Sequence, residues 1–354
     1  KDQLSDNGEP CILYGELYTK YKSEVINEVI SKTNISDTRL VRSNANDVII
    51  PCSGETAEDI ATARCVLNDN VLLGGDLNII RLHKDNGLFM SYQLNGKRKY
   101  DIARVSQGVS VVHLYGEHLK GIKTYCPNLD EQNKIAKFLS LLDDRIATQN
   151  KIIEELKKLK VCVRTLIFKT LNCSWFLLSE LEANGDICLK RGNIIPKHEH
   201  TDIFCYPVYS SSVQNGGLMG YNNTYMFNTE LVTWSIDGGG NFFYRHKHKF
   251  NVTNVSGYMQ LNEAKYNYRF VSEILLWQHS FMVFDYQTKA HPSVIKSMYK
   301  LPDTSLAEQE LIANIFRLLD IKLQNEITIL KQYQQQKQYL SLIHISEPTR
   351  LRRI

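Results

Sequence analysis

The sequence lacks any apolar run long enough to cross a membrane. A membrane-spanning helix needs roughly 18 consecutive apolar residues, and no stretch approaches that length although 43% of the 354 residues are hydrophobic. With 23% charged residues the composition is that of an ordinary globular protein. This excludes a membrane protein. Because the chain is longer than one hydrophobic core usually grows, we expect two or more domains.

Closely paired cysteines are also absent. The eight cysteines are scattered along the chain, and none forms a Cys-x-x-Cys pair. The disulfide frameworks of secreted domains and the common zinc-binding motifs both use such pairs. The pattern therefore favours reduced thiols and a cytoplasmic location.

The sequence has no large excess of charge of one sign. Its 42 Lys and Arg residues against 38 Asp and Glu residues give a net charge of +4, which does not by itself indicate nucleic-acid binding. Any surface that faces phosphate must therefore come from an uneven placement of Lys and Arg on a nearly neutral fold.

Motifs for cofactor binding and catalysis are missing as well. The glycines at 238–240 neither open a helix with a Lys-Ser/Thr ending nor form a G-x-G-x-x-G pattern, so we interpret them as a turn. His246 and His248 are two residues apart, but no third ligand follows at metal-site spacing. We expect no catalytic residue and no metal site in this chain.

What the sequence does contain is one long internal repeat. Glu131-Gln132, Ile135-Ala136 and Leu141-Leu142-Asp143 recur 177 residues later as Glu308-Gln309, Ile312-Ala313 and Leu318-Leu319-Asp320. This period is far above that of solenoid repeats, so the repeated unit is a whole domain plus a helix. Pro127 and Pro302 precede the two copies, and acidic residues follow closely. We therefore predict helices that begin near residues 129 and 305.

Apolar residues at steps of three and four predict that each copy is a long helix with one apolar seam. The seam residues are Leu139, Leu142, Ile146, Ile153 and Leu156 in the first copy, and Phe316, Leu319, Leu323, Leu330 and Tyr333 in the second. Each helix alone could be an ordinary amphipathic helix packed on its own domain. Two copies in one chain give each seam a partner, so we predict an antiparallel coiled coil.

Polar residues interrupt the two seams at equivalent places. Gln149 matches Glu326, and Lys160 matches Lys337. Polar residues inside such a seam can specify register and partner at some cost in stability.

The segments that precede the two helices contain short β-rich runs broken by Gly and Asn turns. Examples are Asp47–Pro51, Asn70–Leu73, Leu231–Trp234 and Phe242–Tyr244. The two segments share a layout but little identity, as expected of two versions of one module that bind different ligands. We therefore predict an α+β fold.

This arrangement resembles the specificity subunits of type I restriction-modification systems. The resemblance covers nearly the whole chain and rests mainly on the doubled Glu-Gln-x-x-Ile-Ala helix. Supporting stretches are Tyr14–Tyr18, Ser53–Ala57, Gly74–Asn78, Tyr206–Ser210 and Trp234–Gly238. It implies two target-recognition domains, 1–128 and 173–300, that alternate with two long spacer helices, 129–172 and 301–342, packed as an antiparallel coiled coil.

The resemblance also implies a function. It implies a non-catalytic subunit that binds double-stranded DNA, with each domain reading one half of a two-part site. The implied partners are two modification subunits, which use S-adenosylmethionine, and restriction subunits, which use ATP and Mg, while this chain holds no cofactor. The alternative is a structural adaptor whose coiled coil tethers partners and whose globular domains bind protein. A methyltransferase or nuclease is disfavoured because cofactor and carboxylate motifs are missing.

The sequence departs from the family pattern at both ends. We expect the first domain to lack a strand or helix before Lys1. Residues 343–354 resemble translated sequencing adapter more than a native ending. We expect this tail to be non-native, poorly packed and dispensable.

Candidate DNA-contacting residues lie in two kinds of segment. Cations beside an aromatic residue suit phosphate contacts, and Arg can also bind a guanine edge with two hydrogen bonds. These residues are Lys97, Arg98, Lys99, Arg245, Lys247 and Lys249. Polar or aromatic loops suit contacts with base edges. These residues are Tyr14, Tyr18, Ser53, Glu55, Thr56, Tyr209, Ser210, Ser211 and Asn215. A solvated charged surface remains the alternative for the cation clusters.

Overall fold

The computed structural model describes residues 3–35, 39–108, 110–195, 205–212, 214–237, 239–282, 284 and 289–341. The expected non-native tail therefore lies outside the described residues. Internal contacts divide the chain into two compact units, residues 1–151 with 327–354 and residues 152–326. The chain thus passes from the first unit to the second and back to the first.

The first unit is a mixed α+β structure. Its strands are β1 (Glu9–Ile12), β2 (Val25–Ile26), β3 (Ser31–Thr33), β4 (Val41–Arg42), β5 (Asp47–Pro51), β6 (Ser53–Gly54), β7 (Arg64–Val66), β8 (Leu72–Leu73), β9 (Leu77–Ile80) and β10 (Val112–His113). Its short helices are α1 (Glu16–Thr19), α2 (Ala57–Ile60), α3 (Gly87–Asn95), α4 (Lys99–Val105) and α5 (Gly116–Lys120), and the long helix α6 (Leu129–Thr170) begins here. The strands form sheets in the orders β3-β1-β8-β4, β2-β7-β5-β9 and β10-β6.

The second unit is built around one larger sheet. Its strands are β11 (Trp175–Leu177), β12 (Ile187–Arg191), β13 (Tyr206–Tyr209), β14 (Leu218–Asn222), β15 (Phe227–Ser235), β16 (Phe242–Val252), β17 (Ser256–Leu261) and β18 (Lys300–Pro302). Its helices are α7 (Leu178–Ala183), α8 (Tyr268–His279) and α9 (Pro292–Met298), a 3-10 turn spans Gln214–Gly217, and the long helix α10 (Leu306–Leu340) begins here. The sheet order is β12-β17-β15-β16-β13-β14, and β11 pairs with β18.

The predicted β-rich runs lie in these sheets, although only Leu72 and Leu73 of the Asn70–Leu73 run belong to a strand. Asp47–Pro51 is β5, and its five residues are all buried. Leu231–Trp234 lies inside β15, and Phe242–Tyr244 opens β16. In the second unit, Trp234 and Phe242 pack with α8 in one hydrophobic core. The α+β prediction is confirmed.

The long helices α6 and α10 begin at Leu129 and Leu306, next to the positions that the two prolines predict. In the second unit, Lys160 Nζ bonds Asp320 at 2.5 Å. Two turns further along α6, the ring of Phe168 stacks on the ring of Phe316, which lies one turn before Asp320 in α10. The two ring centres are 5.9 Å apart. The partner number falls as the residue number rises, so the two helix halves in this unit are antiparallel.

The helix halves in the first unit are paired in the same sense. Asp143 bonds Lys337 Nζ at 2.5 Å, and the guanidinium of Arg145 lies 5.9 Å from the ring centre of Tyr333. Leu340 packs against the cluster that contains Leu139. The predicted antiparallel packing of the two long helices is thus confirmed in each unit.

All ten predicted seam residues are at least half-buried. The fully buried ones are Leu139, Leu142, Ile153 and Phe316. The half-buried ones are Ile146, Leu156, Leu319, Leu323, Leu330 and Tyr333. This burial is that of an interior seam rather than a solvated helix face.

The two lysines that interrupt the seams form equivalent pairs of salt bridges in the two units. Lys337 bonds Asp143 at 2.5 Å and Glu24 at 3.0 Å in the first unit. Lys160 bonds Asp320 at 2.5 Å and Glu273 at 3.1 Å in the second. Each lysine therefore ties its helix to the opposite helix and to the globular part, which restricts the helix register.

The glutamine of the repeated motif joins each helix to its globular part. Gln132 accepts a hydrogen bond from Asn86 N at 2.8 Å and donates to the Pro127 carbonyl at 2.8 Å. Gln309 likewise accepts from Asn267 N at 3.0 Å. Both glutamines are buried. Asn86 and Asn267 in turn cap α3 and α8, so the motif places one helix of each globular part.

Candidate nucleic-acid interface

Strand β16 carries the predicted cation cluster of the second unit, and an irregularity divides it. Thr229 pairs with His248, but Leu231 pairs with Arg245, so two steps along β15 match three steps along β16. An extra residue of this kind reverses the alternation of side chains beyond it. Arg245 and His248 therefore share a face on which both contact the ring of Tyr209.

Arg245 is buried rather than exposed. Only 7% of it is accessible, and its guanidinium lies 3.6 Å from the ring centre of Tyr209 and 4.8 Å from that of Phe243. Its Nε donates to Thr233 Oγ1 at 2.9 Å. Burial lowers the pKa of Arg245 to about 10, so it remains charged near neutral pH. Arg245 therefore lies apart from Lys247 and Lys249, with which the sequence groups it, because the bulge separates them. Its contact with DNA stays a prediction.

Lys247 and Lys249 are the exposed cations of this strand. Lys249 Nζ lies 5.5 Å and 4.7 Å from the ring centres of Tyr206 and Tyr225. Such cation and aromatic groups offer a mobile positive charge beside flat rings, a combination that suits the backbone of a nucleic acid.

The predicted base-contacting loop of the second unit lies directly after β13. Ser210 N donates to the Gly217 carbonyl at 2.8 Å and closes the loop. Asn215, Gly216 and Gly217 all have positive φ angles, 50°, 61° and 83°. Asn215 is exposed, and Tyr209, Ser210 and Ser211 are half-buried. The loop therefore brings four predicted residues to one place beside Arg245.

In the first unit, three of the predicted base-contacting residues lie together. The half-buried Tyr18 has its pKa raised by burial and by nearby Tyr14, Glu55, Asp59 and Asp76. The surroundings are therefore acidic. Carboxylates in such a place repel phosphate, although they can accept hydrogen bonds from base amino groups.

The other two residues of this set already have partners. Thr56 caps α2, because its Oγ1 accepts from Asp59 N at 3.1 Å. Ser53 is buried, and its hydroxyl lies 3.1 Å from His113 Nδ1. These two residues position the segment, and neither offers a free hydroxyl.

Lys97, Arg98 and Lys99 lie elsewhere in the first unit. Arg98 pairs with Asp101 at 2.9 Å and covers the ring of Tyr125 at 5.2 Å. Lys97 and Lys99 line a cleft of about 600 Å³. Further lining residues are Lys22, Tyr100, Asp143, Gln334 and Lys337. The structure thus places these cations beside the long helices, apart from Tyr14, Tyr18 and Glu55.

Sequence reasoning missed three residues of these groups. Thr233 anchors Arg245, Tyr225 flanks Lys249 and Lys22 lines the cleft. Each joins its group through a contact far along the chain, so no local pattern marked it.

Among the described residues, no group of three or more His, Cys, Asp and Glu side chains is arranged to hold a metal ion. His246 and His248 stack with ring centres 4.4 Å apart, and His248 Nε2 lies 3.1 Å from Tyr209 Oη. His248 therefore packs against Tyr209 at the end of β13, and His246 packs on His248.

Exposed apolar side chains recur on the long helices at equivalent positions. Phe138 and Leu141 are 47% and 51% exposed in the first unit. Ile315 and Leu318, their counterparts in the repeat, are 37% and 53% exposed in the second. Contiguous apolar patches on a protein surface are typical of sites of protein–protein contact.

Comparison with known proteins identifies relatives along most of the chain. A family model described as type I restriction modification DNA specificity domain matches residues 5–158 and 179–334. A Mycoplasma pneumoniae protein named as a type I specificity subunit is 35% identical over 150 residues, 40% of this chain and 48% of that protein. The MjaVIII specificity subunit of Methanocaldococcus jannaschii is 28% identical over 152 residues, 42% of this chain and 33% of that protein. The chain thus spans about half the length or less of these curated relatives.

Solved structures share the fold. The S subunit of a type I restriction-modification system from M. genitalium superposes with a TM-score of 0.63 at 18% identity, covering 96% of this chain and 90% of that chain. A chain from a structure of type I complex assembly gives a TM-score of 0.54 at 10% identity, covering 96% and 93%. In the part of the chain that the structure describes, no helix is long and apolar enough to span a bilayer.

Proposed function

This chain belongs to the type I restriction-modification DNA specificity family, and from that premise we propose that it reads DNA for such a complex and performs no chemistry itself. In this proposal each globular part reads one half of a two-part site, and the paired helices act as the spacer. S-adenosylmethionine, ATP and Mg belong to the modification and restriction subunits. The observation that carries the proposal is the family domain occurring twice, each copy with its own long helix.

The test is DNA binding by the complex of this chain with its modification subunits. A pool of random duplexes is selected on the complex, and affinity for the selected and scrambled sequences is titrated against salt. We expect one two-part sequence to be preferred, with log affinity falling linearly with log salt concentration. Equal or absent affinity for all duplexes would support the adaptor alternative and overturn this proposal.

The exposed lysines of β16 provide a second prediction. If Lys247 and Lys249 contact phosphate, replacing both by Ala weakens binding to every sequence and lowers the salt slope by about 0.9 per lost contact. The preference among sequences stays unchanged, because phosphate contacts carry no sequence information. The control is Lys190→Ala, because Lys190 is an exposed lysine of β12 in the same sheet. An unchanged slope in the double variant would show that these lysines are merely solvated.

The repeated exposed apolar pairs support assembly with two copies of one partner. We propose that a modification subunit covers Phe138 and Leu141 and that a second copy covers Ile315 and Leu318. The partners are the same because the two surfaces are equivalent in the repeat. Burial of an apolar side chain contributes about 1.5–3 kcal/mol. The loss of one pair should therefore lower the affinity for a subunit enough that it dissociates at micromolar concentration.

Replacing Phe138 and Leu141 by Glu should therefore remove one modification subunit, and adding Ile315→Glu and Leu318→Glu should remove both. Native mass spectrometry of the complex counts the subunits directly. The control is Thr148→Glu with Lys151→Glu, two exposed polar positions on the same helix. Retention of both subunits by the fourfold variant would contradict the proposal.

A further inference from the structure

Arg245 carries a buried charge for which no described residue of the second unit supplies a counter-charge. The arginine is 93% buried by its 7% accessibility, and its polar neighbours are Thr233 and Tyr209, both uncharged at neutral pH. Buried cations in proteins are normally paired with a carboxylate. Among the described residues, Arg164 and Arg269 of this unit each have such a partner, and Arg245 has none. A counter-charge or a strong acceptor from outside the chain would complete this site.

Three contacts hold the guanidinium in one orientation. The ring centre of Tyr209 lies 3.6 Å from Cζ of the guanidinium, and the ring centre of Phe243 lies 4.8 Å from it. Thr233 occupies the Nε–H. Tyr209 also forms a side-chain hydrogen bond with the guanidinium, so the remaining N–H groups of Nη1 and Nη2 are the edge of the fork left for an additional partner.

That edge lies beside the glycines of the closed loop. A Cβ placed on Gly216 would be 3.8 Å from Nη1, and one on Gly217 would be 3.4 Å from Nη2. The positive φ angles of both residues favour glycine. The two glycines consequently leave the fork uncovered by side chains, next to the exposed Asn215.

We propose that the Nη edge of Arg245 binds two adjacent hydrogen-bond acceptors of the DNA at the second half-site. This inference rests on the proposed function and specifies one of its contacts. Two sources offer the required pair of acceptors, the O6 and N7 atoms of a guanine edge and two oxygens of one phosphate. A guanidinium held in one orientation binds two adjacent acceptors better than one acceptor alone. Lysine cannot replace it, because an ammonium group is a single point charge.

The test compares Arg245→Lys and Thr233→Val with the unchanged chain, each assembled with its modification subunits. Lysine keeps the charge and the aliphatic part of the side chain but loses the planar guanidinium. Valine keeps the shape of threonine but removes the hydroxyl that accepts from Arg245 Nε. Arg191→Lys is the matched control, because Arg191 is exposed and bonds only the Asn254 carbonyl among described partners. Binding is measured on the selected duplex, on single base changes through the second half-site and on duplexes with 7-deazaguanine, which lacks N7.

If guanine is the source, Arg245→Lys loses about tenfold to a hundredfold of the preference at one guanine. The unchanged chain then binds the 7-deazaguanine duplex more weakly than the selected duplex, whereas the variant binds both equally. If phosphate is the source, Arg245→Lys weakens binding by the same factor on every sequence, because the two-hydrogen-bond geometry is lost, and it leaves the salt slope unchanged, because lysine keeps the charge. Thr233→Val should also reduce the preference at that guanine, or the affinity for every sequence, but by a smaller factor than Arg245→Lys.

Equal preference and equal affinity in Arg245→Lys and the unchanged chain would overturn the inference and leave Arg245 as a packing residue. In that outcome the unchanged complex still prefers its sequence, so the proposed function stands. Absence of sequence preference in the unchanged complex is the separate result that overturns the proposed function, and this inference with it.

Discussion

Replacing Gly257 by Ala should destabilise the second unit by about 3 kcal/mol or more. A Cβ at Gly257 would lie 2.1 Å from Cζ2 and 2.2 Å from Cε2 of Trp234. The indole cannot easily move, because it is 1% exposed and its Nε1 donates to the Ala290 carbonyl at 2.7 Å. Overpacking of a core typically costs about 1–3 kcal/mol, and this overlap is severe. The free energy of unfolding in urea measures the effect.

Tryptophan fluorescence makes this measurement specific to the second unit. The three tryptophans, Trp175, Trp234 and Trp277, all lie between residues 152 and 326. Gly75→Ala lies in the first unit, where a Cβ meets no atom within 4 Å, and should leave this fluorescence transition unchanged. The double variant Gly257→Ala with Trp234→Phe should lose less stability than the sum of the two single changes, since a smaller ring relieves the overlap. Simple additivity would show that the strain lies elsewhere.

Replacing Arg164 by Met should destabilise the same unit by about 3–5 kcal/mol. The Glu273 carboxylate is almost fully buried, and it accepts from Arg164 Nη2 at 2.6 Å and Nε at 2.8 Å. Lys160 Nζ lies 3.1 Å away. Removal of the arginine leaves a buried carboxylate with one weaker partner, and breaking a buried pair in this way is strongly destabilising.

The matched tests separate a lost pair from lost packing. Glu273→Leu combined with Arg164→Met should recover part of the stability, because no buried charge then lacks its partner. Lys158→Met breaks an exposed pair with Glu155 on the same helix, so unfolding should be unchanged. A double variant as unstable as Arg164→Met alone would indicate that the aliphatic contacts of the arginine are what matters.

The long helices could be predicted from the sequence because their signals are local. Apolar steps of three and four, a preceding proline and the recurrence of Gln132 as Gln309 each involve neighbouring residues or a single constant spacing. What these signals did not reveal is why the glutamine recurs. Its role depends on Asn86 and Asn267, which lie more than 40 residues before it.

The burial of Arg245 could not be predicted from the sequence, for a different physical reason. Arg245, Lys247 and Lys249 alternate along one strand, which predicts that they share a face. The extra residue in β16 shifts that alternation between Arg245 and His248. A bulge depends on the pairing of two strands and leaves no mark in the sequence of either. Likewise, Tyr14 and Glu55 meet only through sheets that pair distant segments, so their acidic surroundings were not predictable.

The division of the chain into units has a consequence for synthesis. The first unit needs residues 327–340 for the pairing of Lys337 with Asp143 and the packing of Leu340 near Leu139. At about 5–20 residues per second, a ribosome takes roughly 10–35 s to reach them after residue 151. During that interval the nascent first unit has an incomplete core, whereas the segments of the second unit leave the ribosome without interruption. The second unit should therefore become protease-resistant first, and a chaperone that binds the nascent chain should hold its N-terminal part longest.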